Sequence, residues 1–348
     1  MGKKLIAVVN SDVPFIHGGH RLIANTLVRK LQEYGYEAEL IQTPSNPSDR
    51  MFSGYLANVL TCVEKTGDGR NIDQVISMRY PSYAVSHPVH VCWVLHRMRE
   101  YYDLWPHVKK NLAGRHLLRH HVRRFLVHRL DHYYLSRLHK VFALSQTVQT
   151  RLSRWGKITS EVLYPPPIPQ DYRTEGYEPF IYTVSRLVSH KRINLLLEAL
   201  ALTRNDSIQA VVAGTGPEME SLVKLSKSRG IDHRVTFTGR ISEEESMKYF
   251  SRCRAVYFSP FQEDFGFVTL EAFLSGKPVL TTDDSGGPAE LVENEVNGFV
   301  TEAQPQQVAE KIDRLIQDEA QAQSLGEAGR EKARDITWEK AIEKLVVA

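Results

Sequence analysis

The sequence predicts an α/β protein built from two doubly wound domains, each with a parallel sheet and flanking helices. Strand-like and helix-like runs alternate along most of its 348 residues, which is typical of parallel strands joined by helical crossovers. A proline-rich stretch at residues 164–169 interrupts this alternation near the middle, and the alternation restarts after it. The chain is also long enough to bury two separate cores.

The first half is predicted to supply five strands. These are residues 5–9, 38–41, 75–78, 89–95 and 141–144, which are rich in β-branched or aromatic side chains. A loop that contains Gly18 and Gly19 leads into a helix at 22–34, and Gly35 ends that helix.

The proline-rich stretch predicts the domain boundary. Four of the five residues at 165–169 are proline, and proline can continue neither a helix nor a central strand. We therefore predict a linker at 165–171, between an N-terminal domain at 1–164 and a C-terminal domain at 172–334. A last amphipathic helix within 336–348 is expected to pack back on the first domain.

The second half repeats the strand–helix pattern more regularly. Strands are predicted at 180–184, 210–213, 235–238, 255–259 and 279–281, and helices at 193–202, 218–228, 242–253, 268–275, 288–292, 306–316 and 320–333. Ligands of open α/β sheets bind beyond the carboxyl ends of the strands. The functional residues are therefore expected in the loops that follow these strands.

Composition places the chain among ordinary globular proteins. Hydrophobic residues make up 42% and charged residues 24% of the chain, and the net charge is +3. No apolar run reaches the roughly 20 residues that span a bilayer, and the apolar stretch at 5–9 is too short for a signal peptide. The three cysteines show neither metal-ligand spacing nor an even count. We expect a cytoplasmic protein.

Positive charge is concentrated at residues 107–140. This segment contains nine Lys and Arg residues and seven His residues, but Asp131 is its only acid. Apolar residues recur in it at helical spacing: Leu118, Val122, Phe125, Leu126, Leu130, Tyr133 and Leu138. Two interpretations stay open: a solvated helix packed on the first domain, or peripheral docking on anionic lipid at the inner face of a membrane. Nucleic acid is not an expected partner, because the rest of the chain is net negative.

Three cations follow the strand at 180–184: Arg186, Lys191 and Arg192. They precede a helix, where the helix dipole disfavours positive charge. A bound anion relieves this arrangement, and arginine, lysine and helix amides together suit phosphate. The alternative is a solvated surface loop. The nearby Gly214 and Gly216 lack the third glycine of a dinucleotide fingerprint, so a tight structural turn is the better interpretation of them.

Two glutamates flank the glycine of a further loop. Glu263 is predicted in the loop after the strand at 255–259, and Glu271 about one turn into the next helix, with Gly266 between them. Such a pair can act as acid and base, as in glycosidases. The cationic loop of the same domain favours a negatively charged ligand instead. The glycines of the next turn, Gly286 and Gly287, suggest a ligand rim.

Taken in order, these segments resemble the retaining glycosyltransferases of family 4, which have the GT-B fold of two Rossmann-like domains facing a cleft. The resemblance is carried by Ser185-Arg186, Lys191 and residues 211–217, 235–239, 263–271, 276–279 and 286–290. The first domain is similar more loosely, through Gly18, Gly19 and His96.

The resemblance implies a nucleotide-sugar donor held mostly by the second domain. Its catalytic residues would be Arg186, Lys191, Glu263 and His96, and its donor contacts Gly18, Gly19, Arg240, Gly266, Phe267, Val268 and Glu271. In this assignment Arg186 and Lys191 hold the diphosphate. Glu263 faces the sugar, and Glu271 accepts from the ribose hydroxyls. For His96, a packed or capping side chain is the alternative interpretation.

The resemblance also implies the reaction. A hexosyl unit would pass, with net retention, from a nucleotide-diphospho-sugar to a glycan, lipid-linked or small-molecule acceptor. Residues 164–166 and 285–288 are similar to those of mannosyltransferases and point to GDP-mannose, with a UDP-hexose as the other donor. Because side chains would carry the phosphate charge, neither a metal ion nor a cofactor is expected. Two other functions are kept as alternatives: a UDP-sugar epimerase on the same fold, and a non-catalytic nucleotide-sugar sensor.

Overall fold

A computed structural model describes residues 3–13, 18–46 and 50–347. The outermost residues of the predicted domains, 1–2 and 348, therefore lie outside the described part. The chain divides into two compact units, one formed by Met1–Ile168 with Thr337–Ala348 and the other by Pro169–Ile336. The division falls within the prolines at 165–169, of which Pro165 and Pro166 are buried.

The first unit contains a six-stranded parallel sheet in the order β2-β1-β3-β4-β5-β6. Its strands are β1 (Leu5–Asp12), β2 (Glu37–Pro44), β3 (Gln74–Ser77), β4 (His90–Val94), β5 (Lys140–Ala143) and β6 (Glu161–Val162). Its helices are α1 (Gly19–Glu33), α2 (Met51–Leu60), α3 (Trp105–Lys110), α4 (Gly114–Leu135) and α5 (Gln146–Gly156). The sequence analysis did not predict α2, α3, α5 or β6.

The second unit contains another six-stranded parallel sheet, in the order β12-β11-β10-β7-β8-β9. Its strands are β7 (Glu178–Val184), β8 (Gln209–Ala213), β9 (Val235–Gly239), β10 (Cys253–Tyr257), β11 (Val279–Thr282) and β12 (Gly298–Thr301). Its helices are α6 (Ile193–Leu200), α7 (Met219–Ser228), α8 (Glu243–Arg252), α9 (Phe267–Leu274), α10 (Gly287–Leu291), α11 (Pro305–Gln317) and α12 (Glu319–Arg334). Strand β12 was not predicted.

Side-chain caps start several of these helices where the sequence offers Ser, Asp or Thr. Ser242 accepts from the amide of Glu245, and the Glu245 carboxylate accepts in return from the amide of Ser242, which is a capping box. Asp318 caps α12, and Ser145 caps α5 by accepting from Val148. These bonds satisfy amides that the first turn of a helix leaves without partners.

The last helix, α13 (Trp338–Leu345), packs within the first unit. The Trp338 indole donates to the Pro167 carbonyl at 3.0 Å and lies edge-on to Trp93. The Gln74 amide donates to the Leu345 carbonyl at 2.6 Å. The chain therefore returns to the first sheet after completing the second unit. No helix in the described part is long and apolar enough to cross a membrane.

The basic helix α4 is anchored through its only acid. The fully buried Asp131 carboxylate accepts from the hydroxyls of Tyr55, Tyr83 and Tyr102, the last at 2.6 Å. Burial, together with the Asp131 charge, raises the pKa of all three hydroxyls. His128 of α4 also stacks on Tyr102, with ring centroids 4.2 Å apart. One carboxylate thus joins α4 to α2 and to the segments that flank β4.

We predict that Asp131→Asn destabilises the protein by about 3 kcal/mol. The amide keeps the shape but loses charge-assisted bonds to buried hydroxyls. Urea unfolding measures the change. The control, Asp68→Asn on an exposed loop of the same unit, should hardly move the midpoint. Equal effects of the two substitutions would contradict the anchoring role.

Candidate functional site

The second sheet has a topological switch point at β7. This strand pairs with β8 on one side and with β10 on the other, so the crossovers diverge from it in opposite directions. Loops beyond the carboxyl ends of such strands form the usual ligand crevice of an open α/β sheet. Here these are the loop 185–192 after β7 and the loop 258–266 after β10.

An ion pair joins these two loops. Lys191 Nζ lies 2.7 Å from Glu263 Oε2, and 14% of the Lys191 side chain and 26% of the Glu263 side chain are exposed. The Lys191 ammonium also lies 5.2 Å from the ring centroid of Phe258. The structure thus brings together two of the predicted catalytic residues, in a partly desolvated position that a ligand can still reach.

Arg192 is not available for an anion in the way that the sequence predicted. Its guanidinium makes two bonds of 2.6 Å to the Asp284 carboxylate and stacks 4.9 Å from Phe261. This pairing raises the pKa of Arg192 and lowers that of Asp284. The prediction of three cations sharing one anion is therefore wrong for Arg192, which instead ties the β7 loop to the β11 loop.

Backbone bonds complete this junction of three loops. The Phe261 amide donates to the His190 carbonyl at 2.7 Å, and the Glu263 amide donates to the Ser285 carbonyl at 2.8 Å. Gly286 has φ +76°, and a Cβ there would lie 2.4 Å from the Glu263 carbonyl oxygen. Gly286 and Gly287 were predicted to open a ligand rim. Their observed role is close packing against the Glu263 loop.

Arg186 stands on a braced turn. Gly214 has φ +122°, and a Cβ there would lie 1.9 Å from the Ser185 carbonyl oxygen, while the Leu187 amide donates to Thr215 at 2.9 Å. The structural interpretation of Gly214 is thus confirmed. The Arg186 side chain is exposed, and no hydrogen bond or ion pair engages it within residues 3–13, 18–46 and 50–347.

Helix α9 begins at the predicted place. Gly266, with φ +94°, occupies the N-cap position, and Phe267 and Val268 are the first two helical residues. The first amides of a helix have no partner within it and carry partial positive charge. Gly266, Phe267 and Val268 therefore offer backbone donors to an anion at the start of α9.

Glu271 lies on α9, as predicted, and is half-buried. Burial, and secondarily the charge of Glu243, raises its pKa to about 7. Burial, and secondarily the charge of Glu271, raises the pKa of Tyr172, which lies just before β7. The sequence analysis missed Glu243 and Tyr172 as neighbours of Glu271, because nothing in their spacing brings either of them to α9.

The remaining predicted residues lie elsewhere. Arg240 is exposed in the turn after the edge strand β9. Gly18, Gly19 and His96 belong to the first unit, where Gly18 caps α1, Gly19 begins it and His96 follows β4.

His96 is half-buried, and both of its ring nitrogens have partners. Arg79 Nε donates to His96 Nε2 at 3.3 Å, and Nδ1 lies 3.0 Å from the Arg97 carbonyl. His96 is therefore held by its neighbours, as its alternative interpretation requires, while its predicted role at the donor stays a prediction.

Residues 166–332 match the profile of the family described as glycosyl transferases group 1. The second unit belongs to this family. Among curated relatives of this group 1 unit are D-inositol 3-phosphate glycosyltransferase of Corynebacterium diphtheriae and a GDP-mannose-dependent alpha-(1-6)-phosphatidylinositol monomannoside mannosyltransferase of Mycobacterium tuberculosis. Each is 33% identical, over 170 and 166 residues that cover 47% and 45% of this chain. The chain spans only 40% and 43% of their lengths.

A likeness to solved structures extends over both units. The crystal structure of Anabaena Alr3699/HepE in complex with UDP and glucose matches 97% of this chain and 98% of its own, with a TM-score of 0.69 at 19% identity. At this level of identity the likeness concerns the fold alone, and it confirms the predicted GT-B fold.

We predict that Glu271→Gln stabilises the ligand-free protein at pH 8 by about 2 kcal/mol. A carboxyl whose folded pKa is raised binds its proton more tightly in the folded state. It therefore costs stability as the pH rises from about 4.5, its unfolded value, to about 7. At pH 5 most of the gain should have disappeared.

Thermal unfolding at both pH values measures this difference, with Glu220→Gln on an exposed face of α7 as the control. A gain that is the same at pH 5 and pH 8 would mean that the Glu271 carboxyl does not titrate as described.

Proposed function

We propose that this chain is a retaining glycosyltransferase. It moves a hexosyl unit from a nucleotide-diphospho-sugar, GDP-mannose or a UDP-hexose, to a glycan, lipid-linked or small-molecule acceptor, without a metal ion. The observation that carries the proposal is the Lys191–Glu263 pair at the switch point of a group 1 unit, with the exposed Arg186 in the same loop as Lys191.

The cations match the leaving group. Breaking the bond between sugar and diphosphate leaves negative charge on the phosphate, and preorganised cations and amides lower the barrier by stabilising it. Arg186 supplies a guanidinium without a partner in the described chain, and Lys191 an ammonium held at 2.7 Å by Glu263. The first amides of α9 add backbone donors. These groups neutralise the negative charge of the phosphate, which a metal ion would otherwise do.

The carboxylates orient the donor. Glu263 pairs with Lys191 across the two loops, so an anion that draws Lys191 away frees the Glu263 oxygens for sugar hydroxyls. Glu271 accepts from the ribose hydroxyls, and Arg240 borders the base. In the first unit we keep the predicted roles of Gly18 and Gly19 at the diphosphate and of His96 at the sugar.

Retention follows from a front-face reaction. The acceptor hydroxyl approaches on the side that the diphosphate leaves, and the departing phosphate oxygen takes its proton. Positive charge on the sugar and negative charge on the phosphate then grow next to each other. In this account Glu263 and Glu271 bind the donor rather than acting as acid and base.

The names of the relatives support two donor classes. One curated relative is described as GDP-mannose-dependent, and the Anabaena structure holds UDP and glucose. Two relatives are named for inositol-containing acceptors with phosphate, one of them a lipid. We therefore place GDP-mannose first among the donors and an anionic or lipid-linked molecule among the acceptors.

The basic helix α4 supports a lipid-linked acceptor. Its buried face, with Val127, Asp131 and Leu135, packs on the first unit. Its outer face exposes Leu118 and Phe125 by 67% and 63%. Helix α2, joined to α4 through Tyr55, exposes further apolar side chains: Phe52, Leu56, Val59 and Leu60. Apolar residues among arginines suit an anionic bilayer surface. We propose peripheral attachment there, at the inner face of a membrane.

Donor selectivity tests the transferase directly. Incubated with UDP-, GDP- and ADP-sugars and an acceptor panel, the protein should release nucleotide and form a product with the donor's anomeric configuration. Lys191→Ala should lower kcat about 10²–10³-fold, because a preorganised charge at the leaving group is lost. Lys224→Ala, which removes an exposed lysine of α7, is the control.

An unchanged rate in Lys191→Ala would refute its role. A converted sugar that stays attached to its nucleotide would identify an epimerase, and binding without turnover would identify a sensor.

Vesicle co-sedimentation tests attachment separately. The protein should pellet with anionic vesicles at low salt and not with neutral ones. The double variant Leu118→Asp with Phe125→Asp should stay in solution, whereas Leu202→Asp, an exposed leucine of the second unit, should still pellet. If the unaltered protein does not bind anionic vesicles, the membrane proposal is wrong, whereas the transferase proposal is not affected.

A further inference from the structure

A second cluster of charged side chains lies at the carboxyl edge of the first sheet. Asp12 ends β1, Arg79 follows β3 and His96 follows β4, and these three strands are neighbours. His20 and Arg21 reach the same place from the first turn of α1. The proposed transferase uses only His96 of these residues.

The single carboxylate of the cluster is already engaged. Asp12 Oδ1 accepts from the Val13 amide at 2.8 Å and lies 2.9 Å from His20 Nε2, and Arg21 Nε contacts Oδ2. Arg79 Nη1 is 3.9 Å from Asp12 Oδ1, which is too far for a hydrogen bond. Arg21 and Arg79 thus share the Asp12 carboxylate, and Arg79 makes the weaker contact with it.

Arg79 is largely buried without full compensation. Only 15% of its side chain is exposed, and this burial lowers its pKa. Its Nε donates to His96, and Nη1 lies 3.2 Å from His20 Nε2. Within the described residues, its Nη2 makes no hydrogen bond. A desolvated charge of this kind is costly until an anion pairs with it.

The floor of the cluster also lacks partners. Asn10 is completely buried, and neither its amide nitrogen nor its amide oxygen has a hydrogen bond within the described chain. Side chains alternate along a strand, so Asn10 shares the face of Asp12, which is the face that meets His20 and Arg21. Buried polar groups without partners call for an explanation such as a bound ligand.

We propose that Arg79, with His20 and Arg21, forms a phosphate subsite of the first unit that holds an anionic acceptor. The inference rests on the proposed transferase, because Arg186 and Lys191 of the second unit already serve the donor diphosphate. The remaining cations therefore need another anion. A phosphate brings nearly two negative charges and matches the forked donors of arginine.

The subsite also bears on His96. Since His96 Nε2 accepts from Arg79, its proton sits on Nδ1, which donates to the Arg97 carbonyl at 3.0 Å. A phosphate that draws Arg79 away releases Nε2. Binding of the acceptor and readiness of His96 for the sugar are then linked through one guanidinium.

Phosphate titration of the full chain tests the subsite. Inorganic phosphate, added at constant ionic strength, should shift the imidazole NMR signals of His20 and His96 to saturation. Arg79→Gln should weaken this binding about ten- to a hundredfold, and Arg79→Lys should fall between it and the unaltered protein. Arg29→Gln, which alters an exposed arginine of α1, the helix of His20 and Arg21, should titrate like the unaltered protein.

Two results would overturn the subsite. One is the absence of any shift in the unaltered protein. The other is unaltered phosphate affinity in Arg79→Gln, with thermal unfolding used to check that this variant is folded.

Nucleotide binding separates the two substrates. UDP and GDP affinities should stay within about twofold in Arg79→Gln, as expected if the donor phosphates lie with Arg186 and Lys191. A loss of nucleotide affinity equal to the loss of phosphate affinity would assign the cluster to the donor and refute the acceptor role. If the unaltered protein binds phosphate but no nucleotide, the transferase fails and the anion site stands.

Discussion

The Lys191–Glu263 ion pair is the contact on which the proposed site depends. It joins loops from two neighbouring strands at the one place in the second sheet where the strand order turns. Around it, the Arg192–Asp284 pair and the tightly packed Gly286 fix a third loop. The Arg192–Asp284 pair thus holds the loops rigidly, while the Lys191–Glu263 pair remains exchangeable. A site that must bind and release a diphosphate needs both properties.

Charge distribution supports the separate tasks that we propose for the two units. In the second unit Arg186, a cation without a described partner, lies in the same loop as Lys191, whose ion pair an anion can open. In the first unit two arginines compete for Asp12. By contrast, the buried Asp131 carboxylate is fully paired, because it accepts from three tyrosine hydroxyls and anchors α4. Fully paired buried charges such as Asp131 are thus structural, whereas charges that are incompletely paired, or whose ion pair an anion can open, are candidate binding residues.

Much of the second unit could be predicted from the sequence because its regularities are local. Continuous β-branched strands and glycine turns predicted the element positions within a few residues. In the first unit α2 begins without a side-chain cap, and β6 has two residues, so neither produced a pattern. Helix α5 did carry a capping signal, Ser145, which was overlooked.

The candidate site could likewise be predicted only where its signals are local. The loops that carry Lys191 and Glu263 were predictable from strand ends, whereas pairing between loops was not. In the sequence Arg192 and Lys191 are two neighbouring cations of one loop, and nothing there distinguishes their roles. Only the fold places Arg192 against Asp284. The cluster of Asp12, His20 and Arg79 depends on strands far apart in the chain.

A crystal structure with bound nucleoside diphosphate would test the central claim most directly. The account predicts phosphate oxygens within about 3 Å of both Arg186 and Lys191, with Glu263 released from Lys191 and Arg192 still paired with Asp284. A nucleotide bound away from the β7 and β10 loops, with the Lys191–Glu263 pair intact, would contradict it.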